Sequence, residues 1–88
     1  MKLMTKALLK KLPPLETESR YAHVKYFTPW GNWTWYGVSY DPKEKMFFGL
    51  VEGFEKEWGY FSLTELESIR GIGGLKVERD LYWTGGEI

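Results

Sequence analysis

Cysteine is absent from the 88 residues, and histidine occurs once, at His23. The first absence excludes disulfides, thiolate zinc sites and cysteine nucleophiles together, and it fits a reducing cytoplasm. The second excludes a His-based metal centre, and His23 has no Ser or Asp partner at a recognisable catalytic spacing. No apolar run approaches the roughly twenty residues of a membrane-spanning helix. The opening MKLMTKALLKKLPPL resembles a signal peptide superficially, but Lys6, Lys10 and Lys11 interrupt any apolar core and no small-residue cleavage site follows. It reads as a structured N-terminus of a cytoplasmic protein. Net charge is also absent, with twelve basic residues against twelve acidic, whereas a strong non-specific nucleic-acid binder is usually basic overall. The balance is uneven: residues 1–25 carry six basic and two acidic residues, and residues 26–88 carry six basic and ten acidic.

What the chain has in place of staples is aromatic mass: five Trp, six Tyr and five Phe. A chain of this length makes a single domain, 1–88, and buries only about 60–65% of the surface its unfolded form exposes. Each ring contributes on the order of 150–250 Å² to that thin core.

The elements follow from local signals. Thr5 is a candidate N-cap, with Met4 and Leu9 at the spacing of a hydrophobic staple, and Met4, Leu8 and Leu12 share one face of a two-turn helix that Pro13 ends. Two turns are marginal alone, so this helix is expected to dock on the domain rather than lie on a membrane or nucleic acid. LETESR reads as a loop. YAHVKYF alternates as a strand, with Val24 and Tyr26 opposite His23, Lys25 and Phe27. TPWGN is turn chemistry. WTWYGVSY follows as a strand with Trp33, Trp35, Gly37 and Ser39 on one face and Thr34, Tyr36, Val38 and Tyr40 on the other. DPKEK is a second turn, MFFGLVEG a third strand, FEKE a loop, and WGYFSL a fourth strand leading into a helix. Ser62 with Glu65 makes a capping box and Phe61 with Leu66 a staple, so a helix is predicted over about 63–70, stopping at Gly71. GIGG is a loop, KVERDLYW a last strand or extended edge, and 84–88 a frayed tail. The fold class implied is α+β: a small antiparallel meander of about four to five strands with two short helices.

Both faces of the second and third strands carry large side chains, and two short helices cover one face only. Some of Trp30, Trp33, Trp35, Tyr36 and Tyr40 are therefore expected to be exposed, or buried only by a partner. Trp30, Trp33 and Trp35 are the candidate binding rings, with Tyr36 adding a hydrogen bond. Glu78-Arg79-Asp80 is expected to hold a buried ion pair that fixes the C-terminal segment, with Arg79 as its anchor or a partner contact, and Lys25 is a candidate cation on the binding face.

Motifs for chemistry are lacking. GIGG has no Lys-Ser/Thr after it and follows a helix rather than opening one, so it is not a phosphate loop. Glu52, Glu55 and Glu57 cluster around Gly53 and read as a solvated acidic loop rather than a hard-cation site. KMFFGLVE matches the RNA-binding sheet motif only at Lys45 and Phe47, plus near neighbours. No catalytic residue, metal site or cofactor is expected.

The stretches FFGLVEGFEKEWGYFSLTELESIRG and VERDLYW, with TWY, GYFSLTELES and ERDLYW inside or beside them, resemble the family catalogued as domain of unknown function 2958 over nearly the whole length. In that family a Pro-Leu-Gly-Leu-Pro type segment often follows the Arg-Gly; this chain has Ile72-Gly73-Gly74-Leu75-Lys76, which implies a more flexible loop. The family has no established activity, so the resemblance carries over no catalytic residue. It implies a setting: small accessory proteins of bacterial plasmids, conjugative elements and phages, acting on host defence or DNA processing. The expectation is a non-enzymatic module that binds a protein partner through an aromatic patch. The alternative is a single-stranded nucleic-acid binder whose rings stack on bases while Lys25, Lys43 and Lys45 meet phosphates.

Overall fold

The computed structural model describes residues 1–88. Thr5 holds an extended backbone and its hydroxyl accepts from the Leu8 N–H at 3.2 Å, which opens helix α1 (Lys6–Lys11). Leu8 is buried, and Met4 and Leu12 pack beside it. Leu9, expected to close a staple onto Met4, is exposed, and Leu3 supplies the neighbouring buried contact. Ser62 caps α2 (Leu63–Ser68) in the same way, its hydroxyl accepting from the Glu65 N–H at 3.2 Å. Phe61 and Leu66 are both buried across that cap. The helix stops two residues short of the expected end, because Ile69 turns to an extended backbone and acts as the C-cap.

Between and after the helices run seven strands. The main sheet is antiparallel and five-stranded, in the order β5 (Lys56–Ser62), β4 (Met46–Glu52), β3 (Thr34–Asp41), β2 (Val24–Phe27), β6 (Glu78–Arg79). The first four form the expected meander. The chain then passes through α2 and a short 3₁₀ turn at Ile72–Gly74 before β6 joins the opposite edge. A second sheet pairs β1 (Tyr21–Ala22) with β7 (Gly86–Glu87).

This small sheet corrects two expectations. YAHVKYF is not one strand, since it divides at His23 between the two sheets. Residues 84–88 are not a frayed tail. The Ile88 N–H donates to the Arg20 carbonyl at 2.9 Å, the Arg20 Nε–H returns to the Ile88 carbonyl at 2.9 Å, and the Trp83 indole donates to the Ala22 carbonyl at 3.0 Å. These are long-range partners that no local pattern announces.

Both helices pack on one face of the main sheet. Leu8 and Leu66 meet Val24, Tyr26, Trp35, Tyr40, Phe47 and Phe61 there, with Leu3, Leu63 and Val77 closing the edges. Tyr40 belongs to this face against expectation. The β3–β4 register shifts between Gly37 and Ser39, so Val38 is an extra residue and the side chains after it change sides. Before the bulge Trp35 pairs with Val51 on the helix face, and after it Tyr40 pairs with Phe47. The expected alternation of β4 holds, with Phe47 and Gly49 buried and Phe48 and Leu50 turned to the other side. β5 begins at Lys56, so only residues 53–55 form the turn where FEKE reads as a loop.

Candidate functional site

The six residues singled out in the sequence divide among separate places. Trp35 is a core residue, 7% exposed. Trp33 precedes β3, stacks on Trp35 with centroids 5.9 Å apart, and stays 37% exposed because the strand ends before it. Its ring lies against Gly53, where an added Cβ would come within 2.3 Å of it. Trp30 is half-buried against Gly71 in the same manner. These three tryptophans, with Thr28, Ile69 and Arg70, line one cleft of about 380 Å³ at the end of the sheet. The Arg70 guanidinium is engaged there by the carbonyls of Glu67 and Ile69, at 2.7 and 3.0 Å, and closes the end of α2.

Tyr36 and Lys25 lie on the opposite face. Trp83 covers Tyr36 edge-on at 5.5 Å, and the Lys25 ammonium sits 5.6 Å from the Tyr36 ring and 5.8 Å from the Trp83 ring. Asp80 holds the same ammonium at 3.5 Å. The ion pair of the ERD segment is therefore made by Asp80. Arg79 instead ties down the N-terminus, its Nε–H donating to the Lys2 carbonyl at 3.2 Å. Tyr36 thus does not join the tryptophans in one surface, because successive residues of a strand point to opposite faces.

A different ring group is left open on the non-helix face. Phe48 of β4 is half-buried, while Trp58 and Tyr60 of β5 are 42% and 67% exposed. Phe48 stacks on Trp58 at 6.1 Å and meets Tyr60 edge-on at 5.2 Å. The period of two places Trp58 and Tyr60 on one side and sends Phe61 into the core. The Leu15–Arg20 loop, held by the Ser39 hydroxyl donating to the Leu15 carbonyl at 3.3 Å, runs alongside. Loop and rings enclose an open cleft of about 420 Å³. The Arg20 guanidinium lies 5.6 Å over the Trp58 ring. Sequence reasoning missed Phe48, Trp58 and Tyr60 as site residues. The signal was present in WGY, two rings two residues apart, but nothing local says that this strand lies at the edge.

β5 has β4 on one side and no strand on the other. The flanking bonds Gly53 N–H to Glu55 O and Leu63 N–H to Lys45 O share the register of the β4–β5 ladder. The odd-numbered residues of β5 therefore bond to β4. The N–H and C=O groups of Lys56, Trp58 and Tyr60 point outward. Around them the surface is acidic: residues 52–68 hold five carboxylates, at 52, 55, 57, 65 and 67, against one lysine. That lysine, Lys56, is held by Glu52 at 3.2 Å. Glu52, Glu55 and Glu57 do not converge into a cluster able to hold a metal ion.

Titration shifts occur away from these surfaces. Burial raises the Tyr26 hydroxyl well above its ordinary value, and that hydroxyl donates to the Leu3 carbonyl at 2.7 Å. Burial, then Glu67 and Asp41, raise Tyr40. Burial and Lys11 lower His23. Each shift follows from packing, and none brings an acid and a base together in a cleft.

The chain matches the model of a family described as "Protein of unknown function (DUF2958)" over residues 4–87, and it belongs to that family. No curated protein and no solved structure matches it. No helix is long and apolar enough to cross a membrane.

Proposed function

We infer that this chain is a non-enzymatic protein-interaction module of the cytoplasm. Its binding surface is the open ring group Phe48, Trp58 and Tyr60 with Arg20 beside it. The observation that carries the reading is the exposure of two large rings, Trp58 and Tyr60, on the edge strand, while Phe61 of the same strand is buried in the core. Trp, Tyr and Arg are the residue types that dominate binding energy at protein interfaces, and a half-covered ring group rimmed by Glu16, Glu18, Thr17 and Ser19 has that composition. The resemblance to proteins of mobile elements suggests an accessory, anti-defence role as the setting. The Trp30–Trp33 cleft is a smaller surface of similar chemistry.

Charge favours a protein over single-stranded nucleic acid. Rings at β5 would stack bases well, but phosphates would then meet Glu16 and Glu18, which line the same cleft. Of the cations expected to meet phosphates, Lys25 is already held by Asp80 on another part of the face.

The test compares wild type with Trp58→Ala/Tyr60→Ala in pull-downs from nuclease-treated host lysate. Specific protein bands retained by the wild type and lost from a folded double variant are the expected result. Recovery that vanishes with nuclease, or binding of oligo-dT that weakens steeply with salt, would move the function to nucleic acid.

A further inference from the structure

Glycines in this fold serve as seats. The Phe47 ring lies over Gly37, the Trp33 ring over Gly53, the Trp30 ring over Gly71 and the Tyr21 ring over Gly85, each closer than an added Cβ would allow or at its limit. Gly49 faces the Tyr36 carbonyl so closely that no side chain fits. Gly73 and Gly74 have positive φ and need glycine for the turn. Gly59 has none of these reasons. It sits in the middle of β5, its φ is not positive, and a Cβ there meets nothing within 4 Å. Glycine inside a strand costs stability and often marks the close approach of another chain or ligand.

Three features meet at this position: an unfilled glycine seat, a free row of backbone donors and acceptors at Lys56, Trp58 and Tyr60, and an acidic surround. Resting on the reading above, we propose that β5 is the docking edge for an extended, basic segment of the partner protein. The segment adds antiparallel as a sixth strand of the sheet. Its main chain bonds to the outward groups of Lys56, Trp58 and Tyr60. The residue opposite Gly59 is aromatic or large and apolar, and its ring covers the glycine as Phe47 covers Gly37. Two residues further on, on the same face, a Lys or Arg meets Glu57. The intervening side chains lie beside Trp58 and Tyr60. Charge selects this occupant. A second copy would bring the same excess of carboxylates against its own, and a nucleic acid would bring phosphates.

The experiment selects twelve-residue peptides from a random displayed library on the full-length chain. The enriched peptide is then synthesised and amide hydrogen exchange of the ¹⁵N-labelled protein is followed with and without it. Enrichment of an aromatic-x-Lys/Arg pattern is expected, with exchange at the Trp58 and Tyr60 amides slowed by about tenfold or more. Gly59→Ala and Gly59→Val should fold as the wild type does, since the added atoms have room, and Gly59→Val should weaken the peptide about tenfold by filling the seat. Peptides that protect another surface, such as the Trp30–Trp33 cleft, would overturn the β5 edge while leaving an interaction module. Acidic peptides, or an unchanged affinity in Gly59→Val, would overturn the proposed occupant. A library that yields no binder to the wild type would count against both the edge and the module.

Discussion

On the helix side of the main sheet Tyr26, Trp35, Phe47 and Phe61 are each less than a tenth exposed, while on the other side Trp58 and Tyr60 keep 42% and 67% of their surface in water. The residue types are the same and so is the sheet. What differs is the cover. Two six-residue helices, with Leu8 and Leu66 facing inward, close the centre of one face and leave only its outer edge at Glu57 and Gly59 open. The other face is closed where the C-terminal segment lays Trp83 over Tyr36 and where Leu15 lies over the buried Ser39, and the outer strand is left with the Leu15–Arg20 loop beside it. Ring count alone therefore says little about role in so small a domain. The number of elements available to cover the rings decides which become core.

Substitutions on the packed side have the largest effects. Phe47 stacks on Phe61 at 4.9 Å and touches Tyr40 at 4.5 Å and Tyr26 at 5.6 Å. Phe47→Ala should cost about 3–5 kcal/mol in urea unfolding and leave the domain barely folded. Trp35→Ala should cost nearly as much, which would mark it as structural. Next in size, Tyr26→Phe removes the hydrogen bond to the Leu3 carbonyl and should cost about 1–2 kcal/mol at neutral pH. It should also change the alkaline limb. Because the folded state holds the Tyr26 proton above the ordinary value of 10.0, the unfolded chain releases it first. Stability from this group is full below pH about 10 and falls as pH rises above it. The Phe variant should lose part of that fall in a pH series of unfolding curves.

Smaller effects belong to the other face. Asp80→Asn releases Lys25 from its partner but leaves it over two rings, and should cost about 1 kcal/mol, reduced by added salt. Trp58→Ala/Tyr60→Ala should cost less than about 1 kcal/mol for both rings together, with partner binding lost. A stability loss from that pair as large as from Phe47 would remove the contrast between the faces.

Much of the architecture was legible because its causes are local. Thr5 and Ser62 cap their helices with the side chain the sequence points to, and the alternation of Met46–Val51 places Phe47 in the core. The edges of the reading failed where a distant partner decides. The bulge at Val38 turns Tyr40 into the core, and only the register against β4 fixes where the extra residue sits. Gly86 and Glu87 carry no strand pattern, yet Ala22 and Tyr21 give them partners 64 and 66 residues away in sequence. The candidate site was hardest. Trp33 and Trp35 drew attention as the densest rings, but being dense in sequence they lie beside the core, and Trp35 is part of it. Trp58 and Tyr60 are free because β5 is outermost, a property of strand order that no single strand encodes.

That free edge can be measured directly by amide hydrogen exchange across β5 in the isolated chain. Alternation is expected: slow exchange at Glu57, Gly59 and Phe61, which bond to β4, and fast exchange at Lys56, Trp58 and Tyr60. Uniform protection along the strand would mean that something already covers its outer side, and would contradict an edge left open for a partner.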